Sequence, residues 1–183
     1  MEALITKADI IAAKTHVSTN IDQQSFDTAI LDAQRLDFRP IIGGAFYLDI
    51  LNNAFVSPVP TAYDNLLNGT DYTDTNGDTI RYFGVKIMLV NFAFARLMEN
   101  MNNFYTRAGA KYKLSNSSEV IKTQDLQSWI NTARSQAIAY QEDMLNYLCE
   151  NEDTYTIWKN SKDEKIPRKG SVLLRTSKIY TRY

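Results

Sequence analysis

The chain has 183 residues, 44% hydrophobic and 22% charged, with a net charge of −1. This length suffices for one domain with its own core, and these proportions exclude a chain that is unfolded throughout. A single cysteine, Cys149, excludes an internal disulfide and a cysteine-based zinc site.

From the N-terminus, Met-Glu-Ala-Leu-Ile-Thr lacks a basic start followed by an apolar block, so no signal peptide is expected. The sequons at Asn68 and Asn116 are accordingly read as chance. Thr6, with Asp9 three residues on, predicts the N-cap of a short helix through Ile10, Ile11 and Ala13, stopping near His16. Asp22 or Ser25 starts the next helix, and Phe26, Ala29, Ile30 and Ala33 recur on one of its faces. Pro40 fits a first helical turn, and Ile41, Ile42, Ala45, Phe46 and Leu51 form a further stripe. Gly43-Gly44 falls inside that stripe. Each glycine weakens a helix by about 1 kcal/mol relative to alanine, so close approach of a neighbouring backbone is expected there.

Pro58 and Pro60 mark Val56 to Pro60 as a linker before a helical turn from Thr61 to Leu67. Asn76-Gly77, flanked by Thr, Tyr and Ile, predicts a β-hairpin over about 70–82 with both turn positions able to take positive φ. Its short polar strands should project from the body. Phe83 to Asn102 is apolar in nearly every direction, which predicts a helix buried on all sides at the centre of the domain. Its longest apolar run, Ile87 to Met98, is broken by Asn91 and Arg96 and is too short to cross a bilayer, which takes about 18 residues. Ala110 to Leu114 reads as a short strand or extended segment. Thr123 opens the last long helix, with Leu126, Trp129, Ile130, Ala133, Ala137, Tyr140, Met144, Tyr147 and Leu148 on its core stripe. That helix ends near Glu150-Asn151.

Charge divides the chain. Through Trp158 it carries 12 Lys+Arg and 19 Asp+Glu, net −7; from Lys159 to Tyr183 it carries 8 and 2, net +6. The expected organisation is a mainly α helical bundle around a central buried helix over residues 1–158, with the inserted hairpin, and a basic extended C-terminal arm over 159–183. Pro167 and Gly170 break the arm, and Val172 to Tyr183 is rich in β-prone residues. Three readings of the arm stay open. It can be a solvated terminus, a strand-adding arm anchored by Val172, Leu173, Leu174, Ile179 and Tyr180, or a phosphate-binding arm using Lys165, Arg168, Lys169 and Arg175.

Chemistry-bearing motifs are sparse. His16 is the only histidine, and pairing it with Cys149 would require two helix ends to meet. Asp71, Asp74, Asn76, Gly77 and Asp78 imitate a calcium loop. In that frame, however, Tyr72 and Phe83 occupy positions that require carboxylates, and turn chemistry accounts for the same residues. No Gly-rich phosphate loop exists and the carboxylates are scattered. The expectation is therefore no enzyme activity, no cofactor and no metal. The 11 tyrosines suit an interface or a core equally.

Ile5-Thr6-Lys7-Ala8-Asp9-Ile10, then Arg39-Pro40-Ile41-Ile42-Gly43-Gly44-Ala45-Phe46-Tyr47, then Leu66-Leu67-Asn68-Gly69 through Tyr82-Phe83-Gly84-Val85-Lys86 into the apolar helix form an ordered series. This order resembles the head–tail connector proteins of tailed bacteriophages, especially ring or adaptor proteins of crAss-like and related Bacteroidetes phages. The resemblance covers residues 1 to 150 and excludes the arm. It implies a homo-oligomeric ring, commonly dodecameric, that binds the portal and other connector or tail proteins. Such a ring lines a DNA channel without sequence-specific contacts. Its place would be the virion's head–tail junction, reached from the host cytoplasm during assembly, with no membrane and no cofactor involved. An acidic wall would let DNA slide. Contacts between subunits or partners are expected at Tyr72, Thr75, Asn76, Gly77 and Asp78 and along the arm. The alternative is a DNA-binding or regulatory helical protein acting through the basic arm, against which the acidic body argues.

Overall fold

A helix that is apolar all round needs neighbours on every side, and the architecture follows from this requirement. The computed structural model describes residues 2–14, 17–18, 20–102, 104–106, 109–111 and 123–163. In chain order the helices before the first sheet are α1 (Lys7–Ala13), α2 (Gln23–Asp32), a π-helical segment (Ala33–Phe38), α3 (Arg39–Ile42), α4 (Gly44–Ala54) and α5 (Thr61–Asn68). Strands β1 (Thr70–Thr73) and β2 (Thr79–Tyr82) lead into α6 (Val85–Asn102). Strands β3 (Phe104–Thr106) and β4 (Gly109–Lys111), then α7 (Thr123–Glu150) and α8 (Thr156–Asp163), complete the described fold. The protein is mainly helical, as the periodicity predicts.

α6 is the central helix. Val85, Met88, Leu89, Val90, Ala93, Phe94, Ala95 and Leu97 are all buried, and α7, α2, the π segment, α1 and α5 pack around them. Among the described residues no helix is long and apolar enough to cross a membrane.

The caps fall where the sequence places them. Thr6 and Asp9 form a reciprocal capping box on α1, which ends at Ala13. The Asp22 carboxylate accepts the Ser25 N–H at the start of α2. Phe26, Ala29, Ile30 and Ala33 are buried together.

From Ala33 the α-helix gives way to the π-helical segment. The Arg39 N–H bonds the Gln34 carbonyl, an i→i+5 bond that widens the turn. The Gln34 side chain, fully buried, accepts from the Leu4 N–H at 2.5 Å and donates to the Tyr47 hydroxyl at 3.3 Å. Arg96 of α6 clasps Asp37 with two bonds, 2.6 and 2.8 Å long. The π segment is thus tied to the N-terminal segment, α4 and the central helix.

Gly43 and Gly44 need a different explanation from the expected one. Gly43 has φ +83° and separates α3 from α4, and a Cβ there would meet nothing within 4 Å. A Cβ on Gly44 would meet only the Arg39 side chain, 3.7 Å away. Positive φ at Gly43, not close backbone approach, is the requirement.

Trp129, assigned to the core stripe of α7, is instead 41% exposed. The boundary expected after Trp158 falls inside α8, because Trp158 is buried and its ring lies 5.9 Å from Phe46 of α4. Sequence reading also missed β3, the partner of β4 in a second two-stranded antiparallel sheet.

Candidate functional site

The hairpin is built from its neck outward. Gly69 and Gly84 flank it at φ +93° and +87°. A Cβ on Gly69 would lie 2.5 Å from the Tyr82 carbonyl oxygen, and one on Gly84 would lie 2.5 Å from that of Leu67. The two chain segments therefore cross at backbone contact, which no side chain can share. This is the close approach expected at Gly43-Gly44, found at another pair.

Beyond the neck the register pairs Thr70 with Tyr82, Asp71 with Arg81, Tyr72 with Ile80 and Thr73 with Thr79. Asp71 and Arg81 form an exposed cross-strand ion pair at 3.0 Å. The turn is a three-residue loop, Thr75–Asn76–Gly77. Asp74 N–H donates to the Asp78 carbonyl, and Gly77 N–H donates to that of Asp74. Only Gly77, at φ +92°, takes positive φ; Asn76 does not, contrary to the two-residue turn expected. The Asp74 carboxylate accepts the N–H groups of Asn76 and Asp78, each at 2.9 Å, and the Asn76 amide at 3.0 Å. These bonds, those to the Asp78 backbone first, hold its pKa below the usual carboxylate value. Asp74, Asn76, Gly77 and Asp78 are thus held by turn chemistry, while Asp71 pairs with Arg81.

The base of the hairpin does not project freely; it is docked on α7. Tyr82 is buried, stacks on Tyr147 with centroids 4.3 Å apart, and donates its hydroxyl to the Leu66 carbonyl. Tyr72 meets the same Tyr147 edge-on at 5.3 Å and is partly buried. The tyrosine cluster continues to Tyr155, whose hydroxyl lies 3.1 Å from that of Tyr147 and donates to the Ala62 carbonyl at 2.7 Å. Among the tyrosines whose side chains are described, Tyr47, Tyr82, Tyr147 and Tyr155 are buried. These four serve the core.

Between hairpin and helix runs a groove of about 280 Å³. The hairpin contributes Tyr72, Asp74, Ile80, Arg81 and Tyr82; α7 contributes Asp143, Asn146, Cys149 and Glu150. The Tyr72 phenol is pushed above its ordinary pKa, first by burial and then by Glu150, Asp143 and Asp74. The groove thus has an aromatic floor within a negative field. A second hollow, about 300 Å³, lies between α6 and α7 and is lined by Lys14, Phe94, Trp129 and Gln136, among others. Lys14 sits over the Phe94 ring and donates to Gln136, and burial lowers its pKa.

Of the residues singled out from sequence, Thr75, Asn76, Gly77 and Asp78 form the exposed tip, and Tyr72 lies at the docked base. Lys165, Arg168, Lys169, Val172, Leu173, Leu174, Arg175, Ile179 and Tyr180 lie outside the described residues, as does His16. Asp143, Asn146 and Glu150 were missed. Their spacing along α7 marks one helical face, but only the docking of the hairpin singles that face out.

Residues 38–168 match the model of a family of unknown function, DUF6712, and the chain belongs to that family. No curated protein and no solved structure matches it. The matched stretch contains the hairpin, its neck and both walls of the groove.

Proposed function

We propose that this family member is a structural subunit of a virion, assembled as a ring at the head–tail junction of a tailed phage. In this role it joins the portal to the tail, extends the DNA channel, and works without catalysis or cofactor. The observation that carries the reading is the mounting of the hairpin. Its neck is locked by Gly69 and Gly84, its base is stacked on Tyr147, and its tip, Thr75 to Asp78, is exposed. A polar tip held on a rigid base suits a contact between subunits, because little conformational freedom is lost when it docks.

Two further features support the assignment. The order of elements resembles phage connectors over residues 1 to 150. The body through Trp158 carries −7, the sign expected of a wall past which DNA slides. The basic C-terminal segment is a second contact element in the assembled ring.

The test is electron microscopy of the purified protein and of particles containing it. Rings coaxial with a portal are expected, with the tip of one subunit against its neighbour. Asn76→Val with Gly77→Val should leave the monomer helical and reduce incorporation into particles. A single asymmetric copy per particle, or normal incorporation of the double variant, would count against the reading. Tight, steeply salt-dependent binding of duplex DNA by the C-terminal segment would favour the nucleic-acid alternative.

A further inference from the structure

The groove between the hairpin and α7 has the wrong surface for open water. Tyr72 and Ile80 offer apolar area, Ile80 being 38% exposed, while Asp74, Asp143 and Glu150 rim the same hollow. Among the described residues Arg81 is the only cation lining it, and it is already paired with Asp71. A complementary occupant combines positive charge with a few aliphatic side chains on an extended backbone.

The chain itself carries such a segment. Residues 164–183 contain six Lys or Arg against one Glu, and Val172-Leu173-Leu174 lies among them, between Lys169 and Arg175. We propose that this groove is the docking site for the chain's own C-terminal segment. Val172 to Leu174 would lie against Tyr72 and Ile80, with Lys169 and Arg175 facing Asp143 and Glu150.

Reach is satisfied within one molecule. Tyr155, just before α8, lies 6.0 Å from Tyr147, and Tyr147 lies 5.3 Å from Tyr72 in the groove. α8 adds eight residues, about 12 Å. The eight residues 164–171 extend up to about 28 Å, enough to return Val172 to the hairpin. Tethering of this kind gives an effective concentration on the order of millimolar, so weak contacts suffice. The docked segment would cover the base of the hairpin in the free subunit and leave the tip exposed. This inference concerns the isolated chain and does not depend on the ring reading.

Cys149 lines the groove, is exposed and is the protein's only cysteine, so it reports occupancy directly. In the full chain carrying Leu174→Cys, a mild oxidant should form a Cys149 disulfide within the monomer. Reversing charge at Lys169 and Arg175 (Lys169→Glu, Arg175→Glu) should slow it about tenfold, the change expected when a mostly docked segment becomes mostly undocked. High salt should act in the same direction. In the otherwise unaltered full chain, the same two reversals should speed labelling of Cys149 by a neutral maleimide. Crosslinks only between chains would overturn the proposal and assign the groove to a second copy. A disulfide rate and a labelling rate both indifferent to charge reversal and salt would overturn docking altogether. Circular dichroism should be the same for all variants; a reversal variant that loses helix would show these charges to be structural and overturn the proposal.

Discussion

Tyr82 of the hairpin lies flat on Tyr147 of α7, with ring centroids 4.3 Å apart and planes 8° from parallel. This stack joins residues far apart in sequence and fixes where the hairpin meets the helical body. Tyr82→Ala should destabilise the fold by about 3–5 kcal/mol, since it removes a fully buried aromatic ring. Tyr82→Phe should cost only about 1–2 kcal/mol, leaving the Leu66 carbonyl without its donor. Urea denaturation followed by circular dichroism separates the two.

The glycines should divide into two classes. Gly43→Ala meets no neighbour and incurs only backbone strain, about 1–3 kcal/mol. Gly69→Ala and Gly84→Ala add a backbone collision at 2.5 Å to the same strain and should be the more damaging. Comparing the three denaturation midpoints checks this order; equal losses would contradict the neck geometry.

Asp37→Ala should cost about 1–3 kcal/mol, because it strips a partly buried guanidinium of its two-point partner. Arg96→Met should cost less than Asp37→Ala, since it removes the charge along with the bond and keeps the aliphatic stem. Thermal unfolding of both variants gives the comparison.

The Asp74 turn should respond to acid. Its folded pKa is depressed by the bonds to Asp78 and Asn76, so its contribution is fully present above the unfolded value of about 3.9. That contribution is lost as pH falls through the lower folded value. In an NMR titration the Asn76 and Asp78 amides should shift together below about pH 4, and Asp74→Asn should abolish the transition. Amides that titrate unchanged in the variant would assign the effect to another carboxylate.

A cut after Trp158 would divide α8, which spans Thr156–Asp163. A chain ending at Asp163 should keep its helical circular dichroism, and its denaturation midpoint should fall only by the small amount that docking of the segment contributes. A chain ending at Lys159 loses half of α8 and loosens Trp158 from Phe46 and α4, so its midpoint should fall.

Local rules made much of this fold legible. Thr6 with Asp9, Asp22, Pro40 and the apolar circumference of α6 each act within one or two turns, and each predicts its element. What escaped is set by distant partners. Trp129 shares the periodicity of Ile130 and Ala133, yet it is 41% exposed while they are buried. Trp158 stands at the edge of a basic stretch, and only the position of Phe46 makes it core. Gly69 and Gly84 lie 15 positions apart, and nothing local brings them together. The candidate site is half legible: Asn76-Gly77 announces the turn, while Asp143 and Glu150 acquire meaning only once Tyr82 has landed on Tyr147. At Gly43 the sequence shows a glycine, but only the backbone distinguishes a positive φ from crowding as its cause.

The i→i+5 bond from Arg39 to Gln34 acts as a change of angular phase along one continuous rod. Each α-helical residue rotates the chain by about 100°, and the widened turn absorbs roughly one residue of rotation. Phe26 and Ile30 upstream and Phe38 and Ile42 downstream are buried together because of that slip. Deleting one residue between Ala33 and Phe38 would restore the regular helical phase. Phe38 and Ile42 would keep their direction, because the surplus residue and the widened turn would disappear together; straightening the turn without a deletion would instead swing both by about 100°. In this segment one surplus residue is therefore hidden in the turn instead of being passed on as a rotation.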